Sequence, residues 1–414
     1  MIILKERLIQ ELGSEQFFDN PYPTYQRLRE EAPVCWHEAW SQWLITGYSD
    51  VQTVLLRPDV FSSAGADDRF LRQLPQNELV QLSHLTQYFG TSAINNSDPP
   101  EHTRFRRLIG RSFAPRIVED QRVGIVELVG ELIRELRKTG RFDLLEEFAL
   151  PLPAAVIAQM LGVSTESRAE FQSWSESVVA FVSTGYPQID RARKANESIK
   201  AFGEMLEPLF DERRNEPTGD LASLLVATVD GEGLTSAELV AAGIVLLFAG
   251  HETTANLIGN GLLALLNHPD QMISLRENPA LMTLAVEEML RWDAPVQRAR
   301  RVCTVDFDLG GQHIVAGQGV MAFIGAANHD PEYFRDPDEF DIERENARKH
   351  LSFGHGIHAC LGAPLSRIEA PVAIAAVLDA FPKLSLNPDR DPLWKKNITF
   401  RGLEVLPLIA EGKV

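Results

Sequence analysis

Phe353-Gly354-His355-Gly356-Ile357-His358-Ala359-Cys360-Leu361-Gly362 places one cysteine in a glycine-dense loop. The residues that follow, Ala363-Pro364-Leu365-Ser366-Arg367-Ile368-Glu369, change at once to the apolar spacing of a helix. A sulfur so placed sits at the positive end of a helix, beside backbone N–H groups that lack intrahelical partners, and both favour a thiolate. The three glycines let backbone come close to a flat molecule. Taken as a lone cysteine, Cys360 fits equally a buried structural thiol beside a turn.

The chain has 414 residues, 44% of them hydrophobic, enough for a large core or two unequal lobes, and it is expected to form one domain over 1–414. A net charge of −18 argues against general affinity for nucleic acid or an anionic membrane. Cys35, Cys303 and Cys360 are odd in number and far apart, which fits no disulfide framework and suits a reducing cytoplasm. Met1 to Arg7 is apolar for too few positions to form a signal peptide or a spanning helix. Leu239 to Leu266 is long and apolar, but its centre holds His251, Glu252, Thr253, Thr254 and Asn256. A charge there is expensive in lipid, so the stretch is expected to be a helix through the core.

Phe-Gly-x-Gly-x-His-x-Cys-x-Gly resembles the haem-binding signature of the cytochrome P-450 family. The resemblance implies Cys360 as axial ligand of haem b (iron protoporphyrin IX), with Phe353, Gly354 and Gly362 beside the cofactor. It also implies a fold that is mainly α with a smaller β portion, a triangular α-rich lobe and a small β-rich lobe with the haem between them.

From Asn20 the pattern predicts a short amphipathic helix, strands at Val34–His37 and Trp43–Thr46, and a helix capped by Ser49 or Asp50. Arg57 to Ser97 shows no steady period and is expected to be a lid or binding loop. A helix then starts at Asp98-Pro99-Pro100-Glu101, with His102 and Arg106 on one face and Arg104, Arg107 and Arg111 roughly opposite. By residues alone this is a solvated basic helix; the family resemblance implies that His102 and Arg106 bind haem propionates. Apolar positions from Val123 to Leu136 and from Leu152 to Leu161 predict further helices. Thr165 to Arg214 reads as two helices joined near Gly185-Tyr186-Pro187, which in the family roof the site and move to admit substrate.

In Val245 to Asn256, positions 245, 248, 249, 252, 253 and 256 share one helical face, apolar at first and then carrying a carboxylate and a hydroxyl. Gly250 mid-helix suggests a close approach to the backbone or a local opening. Glu252 and Thr253 read on their own as a pair that satisfy each other in a core. Ala-Gly-x-Glu-Thr-Thr resembles the family's oxygen-activating motif, which implies proton delivery by Glu252 and Thr253 and places Ala249 and Gly250 against the haem.

Glu288 and Arg291 stand three apart on a predicted helix, close enough to pair. They resemble the family's Glu-x-x-Arg element, whose partner would be Arg344. After Pro295 the spacing alternates as in strands, with a turn at Gly310-Gly311 and a hairpin around Ile398 to Leu403. Arg301 and His358 match the remaining propionate positions.

The implied activity is monooxygenation: one atom of O2 enters a C–H bond of a small hydrophobic substrate such as a terpenoid, steroid, fatty acid or polyketide. Val245, Phe248, Ala249, Val296, Gln297, Thr399 and Phe400 are the expected contacts. Electrons are expected from a ferredoxin or flavodoxin with its NAD(P)H-dependent reductase, docked on Arg104, Arg107, Arg111, Arg348 and Lys349. Two alternatives stay open at this point: a peroxygenase, against which the acid–alcohol pair argues, and a non-catalytic haem-thiolate module.

Overall fold

A helix hydrophobic on all sides has to be enclosed, and Ser236–Asn267 is enclosed by almost everything else. The computed structural model describes residues 10–91, 94–164, 168–184, 186–227 and 232–410. Met1 to Arg7 and Gly185 lie outside the described residues. The long helix begins with a capping box: Glu238 N donates to Thr235 Oγ1 at 3.3 Å, and Thr235 N donates to Glu238 Oε2 at 2.8 Å. Around it pack Pro151–Leu161, Ile189–Asn215, Met282–Trp292 and Ala363–Ala380. Gly261 permits a close approach, since a Cβ there would meet Met289 Sδ at 2.5 Å.

The smaller β portion centres on a five-stranded sheet. In order its strands are Val34–His37, Gln42–Ile45, Gly319–Phe323, Arg298–Cys303 and Phe61–Ser62, all neighbours antiparallel except the second and third. It has its own core of residues such as Val51, Phe61, Val320 and Phe334. The turn at Gly310 and Gly311, with φ of 54° and 74°, joins Phe307–Leu309 to Gln312–Ile314 as expected. The C-terminal hairpin is also present: Leu393–Trp394 pairs with Leu403–Val405, and Val296 bridges Phe400.

Two local expectations are corrected, and one helix that was expected shows which of its apolar residues are buried. The helix Tyr48–Leu56 is capped neither by Ser49 nor by Asp50; its N-cap is Gly47, and Tyr48 N donates to the distant Asp330 carboxylate at 2.7 Å. The stretch 57–97 contains three short helices, Ala66–Leu71, Gln76–Leu79 and Ser83–Gly90, which send Phe70, Leu85 and Phe89 into the main core. Helices this short carry too few turns to show a period. In Arg122–Thr139, Val123 and Val126 are exposed, and Ile125, Val129, Ile133 and Leu136 make the buried stripe.

Candidate active site

Cys360 closes its loop through its own backbone, N–H donating to Phe353 O at 2.7 Å, and Gly354 N donates to Leu351 O at 2.8 Å. Gly354 and Gly356 adopt φ of 69° and 72°, and a Cβ on Gly356 would stand 3.0 Å from Leu55 O. Glycine is therefore required by the turn and by the neighbouring helix end. The sulfur is exposed. Protein packed behind it pushes the thiol pKa up, while the amides of Gly362 and Ala363 and the guanidiniums of Arg106 and Arg367 act the other way. Phe353 is stacked beneath the Arg367 guanidinium, 4.6 Å from its ring centroid.

His102 and His358 come together from opposite ends of the chain, ring centroids 4.3 Å apart. Nε2 of each is buried with no partner. Burial lowers the pKa of His102, helped by Arg106; burial, Arg301 and His102 push His358 down to about 3. Arg106 Nη1 donates to Ala359 O at 2.8 Å, so the helix Glu101–Gly110 is tied directly to the cysteine loop. Arg106 stands close to His102 and Arg301 close to His358, so two imidazoles and two guanidiniums are neighbours here.

On the long helix Ala249 is exposed between buried turns, so that face looks onto open space. Gly250 has a different reason: its missing Cβ would meet Ile157 Cγ1 at 3.1 Å, and the helix runs through without opening. Glu252 and Thr253 do not bond to each other. Thr253 Oγ1 donates to Ala249 O at 2.9 Å, whereas buried Glu252 receives Lys395 Nζ on Oε1 at 3.2 Å and has no partner on Oε2. Lys395 lies 143 residues away, so no spacing in the sequence could have paired them.

Glu288 is the hub of a fully buried network. Arg291 binds it with two hydrogen bonds of 2.7 and 2.8 Å, and Arg344 reaches it at 3.2 Å. The guanidiniums also donate to the carbonyls of Asn328, Pro337, Glu339 and Asp336. Beside it lies a second network that motif reading missed. Glu287 accepts two hydrogen bonds from Arg367 at 2.6 and 2.9 Å and one from His350 at 3.0 Å. The usable signal was two consecutive acids on an otherwise apolar helix. Burial alone would raise the Glu287 pKa, but these donors bring it down from 4.5 to about 2. A depressed carboxyl stabilises the fold above its unfolded pKa and loses that contribution as pH falls through the folded one. Acid titration should therefore show wild type losing stability between about pH 4.5 and 2, and Glu287→Gln should flatten that window, read by denaturant midpoints.

A family model for cytochrome P-450 matches residues 41–403. The chain belongs to the cytochrome P-450 family. It is 40% identical over 411 residues to the monooxygenase PikC of Streptomyces venezuelae, covering 97% of this chain and 94% of that one. It is 36% identical over 414 residues to 6-deoxyerythronolide B hydroxylase of Saccharopolyspora erythraea, covering 98% and 99%. Among solved structures it resembles P450BioI in complex with an acyl carrier protein ligated to hexadec-9Z-enoic acid, at TM-score 0.88 and 34% identity over 96% of this chain and all of that one. The cofactor of this family is haem b, held through a cysteine thiolate. The protein is an oxidoreductase, a haem-thiolate monooxygenase that inserts oxygen from O2 into a substrate.

Within this cytochrome P-450 the expected substrate contacts divide. Val245 is buried, Phe248 half-buried, and Val296, Thr399 and Phe400 lie together where the C-terminal hairpin meets the strand after Pro295. Gln297 is corrected: its Nε2 donates to Ala294 O at 2.8 Å and its amide fills the space a Cβ on Gly325 would need. That side chain packs the strand onto the helix Ile324–Ala327. Thr399 Oγ1 accepts from Arg298 Nε at 2.8 Å, and Arg298 and Arg300 donate to the carbonyls of Val182 and Thr184, holding the end of the helix Arg168–Val182.

The basic face is also smaller than the sequence suggests. Arg104 pairs with Glu238 and the exposed Arg107 with the exposed Glu232, while Arg111, Arg348 and Lys349 are the other exposed members of the expected set. Among the described residues one helix is long and apolar enough to cross a membrane, and it is the enclosed core helix Ser236–Asn267.

Proposed function

We propose that the haem lies between Cys360 and Ala249, with its carboxylates received by His102, Arg106, Arg301 and His358. The observation that carries this reading is the pair of buried, unpartnered imidazole nitrogens of His102 and His358. Each such group costs about 1–3 kcal/mol if left unsatisfied, and an arriving carboxylate would accept from both. Held by the Cys360 thiolate, haem would supply the reductive activation of O2.

The chain's own residues do the rest. Phe353, Gly354 and Gly362 shape the sulfur side, and the Glu288, Arg291 and Arg344 network holds the loop that leads to it. Val245, Phe248, Ala249 and Val296 exclude bulk water from the opposite side. Thr253, whose hydroxyl rests on Ala249 O, needs only a side-chain rotation to donate into the open space. Glu252 hands it protons drawn from solvent.

The substrate is a hydrophobic molecule of terpenoid, steroid, fatty-acid or polyketide type. Similar proteins include a vitamin D(3) 25-hydroxylase of Pseudonocardia autotrophica and a Bacillus megaterium cytochrome P-450 solved with testosterone. Electrons come from a ferredoxin or flavodoxin and its NAD(P)H-dependent reductase in the cytoplasm, docking over Arg111, Arg348 and Lys349, and one domain carries the whole site.

Testosterone, a macrolactone and a long-chain fatty acid, titrated against the ferric protein, should include at least one that shifts the iron spin state. With that compound Thr253→Ala should keep the wild-type Kd, while product formation falls by about a hundredfold and peroxide rises to match. Unchanged coupling removes Thr253 from the proton path, and three silent titrations remove this substrate class.

A further inference from the structure

Glu252 sits in the middle of the core helix at 4% exposure, where an ionised carboxylate has to be paired. The pairing cation is supplied by another part of the chain. Lys395 follows the strand Leu393–Trp394, is held by its backbone N–H to Gly402 O at 3.0 Å, and sends Nζ to Glu252 Oε1 at 3.2 Å. The two partners differ sharply in their access to water: the Lys395 side chain is 24% exposed and that of Glu252 6%. The second carboxylate oxygen, Oε2, is buried without a partner. One oxygen is thus gripped by a group in touch with solvent, while the other is left open inside the protein, one residue from Thr253.

We propose that Lys395 is the positioning residue of proton delivery, gripping Oε1 of Glu252 toward solvent so that Oε2 stays presented to the interior beside Thr253. This rests on the reading of Glu252 as the proton carrier. A glutamate side chain has several rotamers, and an unpaired buried carboxylate would swing to water or hold its proton. The ammonium prevents this by holding the carboxylate in one rotamer. Each proton enters from solvent beside Lys395, resides on the Glu252 carboxyl, and leaves toward the Thr253 hydroxyl, after which Glu252 is ionised again. Lys395 neither gains nor loses a proton in the cycle. Any cation with the same reach would serve.

The test uses the holoenzyme without substrate, oxidising NADPH through a plant-type ferredoxin and its reductase. Electrons then divide between peroxide and water, and water formation needs the delivered protons. Lys395→Met should slow water formation by about tenfold, raise peroxide per NADPH and raise the solvent isotope effect. It should also move the carboxyl 13C resonance of Glu252 in the diamagnetic ferrous carbon monoxide complex. Lys395→Arg should restore all of these, and the Soret band should be the same in every variant. Glu252→Gln serves as the internal reference. If it changes peroxide yield and isotope effect while Lys395→Met and Lys395→Arg match wild type, the positioning role is overturned. If Glu252→Gln is itself silent, the carrier reading falls, which is a different result. Should Lys395→Met not fold, Lys395→Gln, which keeps a donor and drops the charge, decides in its place.

Discussion

Replacing Cys360 by histidine is expected to give a protein that still takes up haem but whose ferrous carbon monoxide complex shows a histidine-type Soret band. Monooxygenation should fall by on the order of a thousandfold, which corresponds to about 4 kcal/mol of barrier. The loop makes this substitution informative, because the backbone and not the thiol holds it in shape. The Cys360 amide bonds Phe353 O, the two left-handed glycines set the turn, and Arg106 fastens the loop through Ala359 O. The imidazole therefore inherits an intact cradle, and only the donor atom changes. The electron release that favours cleavage of the O–O bond belongs to the thiolate and is lost with it. A thiolate-type band surviving in Cys360→His would mean that Cys35 or Cys303 holds the metal. Both are buried away from this loop, in the sheet cores, so that result would overturn the site as built here.

The second large effect is on stability. Glu288→Gln should destabilise the haem-loaded protein by about 3–5 kcal/mol in denaturant titration and should accelerate haem loss. Arg291 has no exposure at all and Arg344 is 8% exposed on its side chain, so removing the shared carboxylate leaves two guanidiniums facing only carbonyl oxygens. The carbonyls cannot neutralise them, and water cannot reach them. Glu119 and Arg122 provide the control. They have the same i,i+3 spacing, but the side chains are 57% and 46% exposed, and Glu119→Gln should leave the denaturation midpoint nearly unchanged. Equal effects in the two variants would show that Glu288 is not a structural hub.

That contrast also shows how far the chain could be read in one dimension. Glu288–Arg291 and Glu119–Arg122 look alike on paper, and only burial separates a hub from a surface pair. The cysteine loop and the core helix through Glu252 and Thr253 were legible because each sits in a local pattern of several residues, whereas His102, Arg106, Arg301 and His358 were read only through the family resemblance. The helices of 57–97 were not, since none is long enough to display a period, and their apolar residues are explained by partners such as Phe181. Val123 and Val126 belong to a helix that was legible, yet they are exposed. They fit the helical spacing, but the side of Arg122–Thr139 that meets Ala363–Ala380 was already filled by other residues.

By itself the sequence determined what depends on neighbours along the chain: where a cysteine meets a helix start, where the long core helix runs, which acid and alcohol share a face. Apart from Arg344 with Glu288, which the family resemblance implied, the tertiary structure decided the pairings between charges far apart in the chain. Lys395 went to Glu252, Arg367 and His350 to Glu287, Glu238 and Glu232 to the arginines that had looked free, and Gln297 was turned into the sheet. The physical reason is that a buried charge must be neutralised by whatever the fold brings within about 3 Å, and that distance bears no relation to separation along the chain.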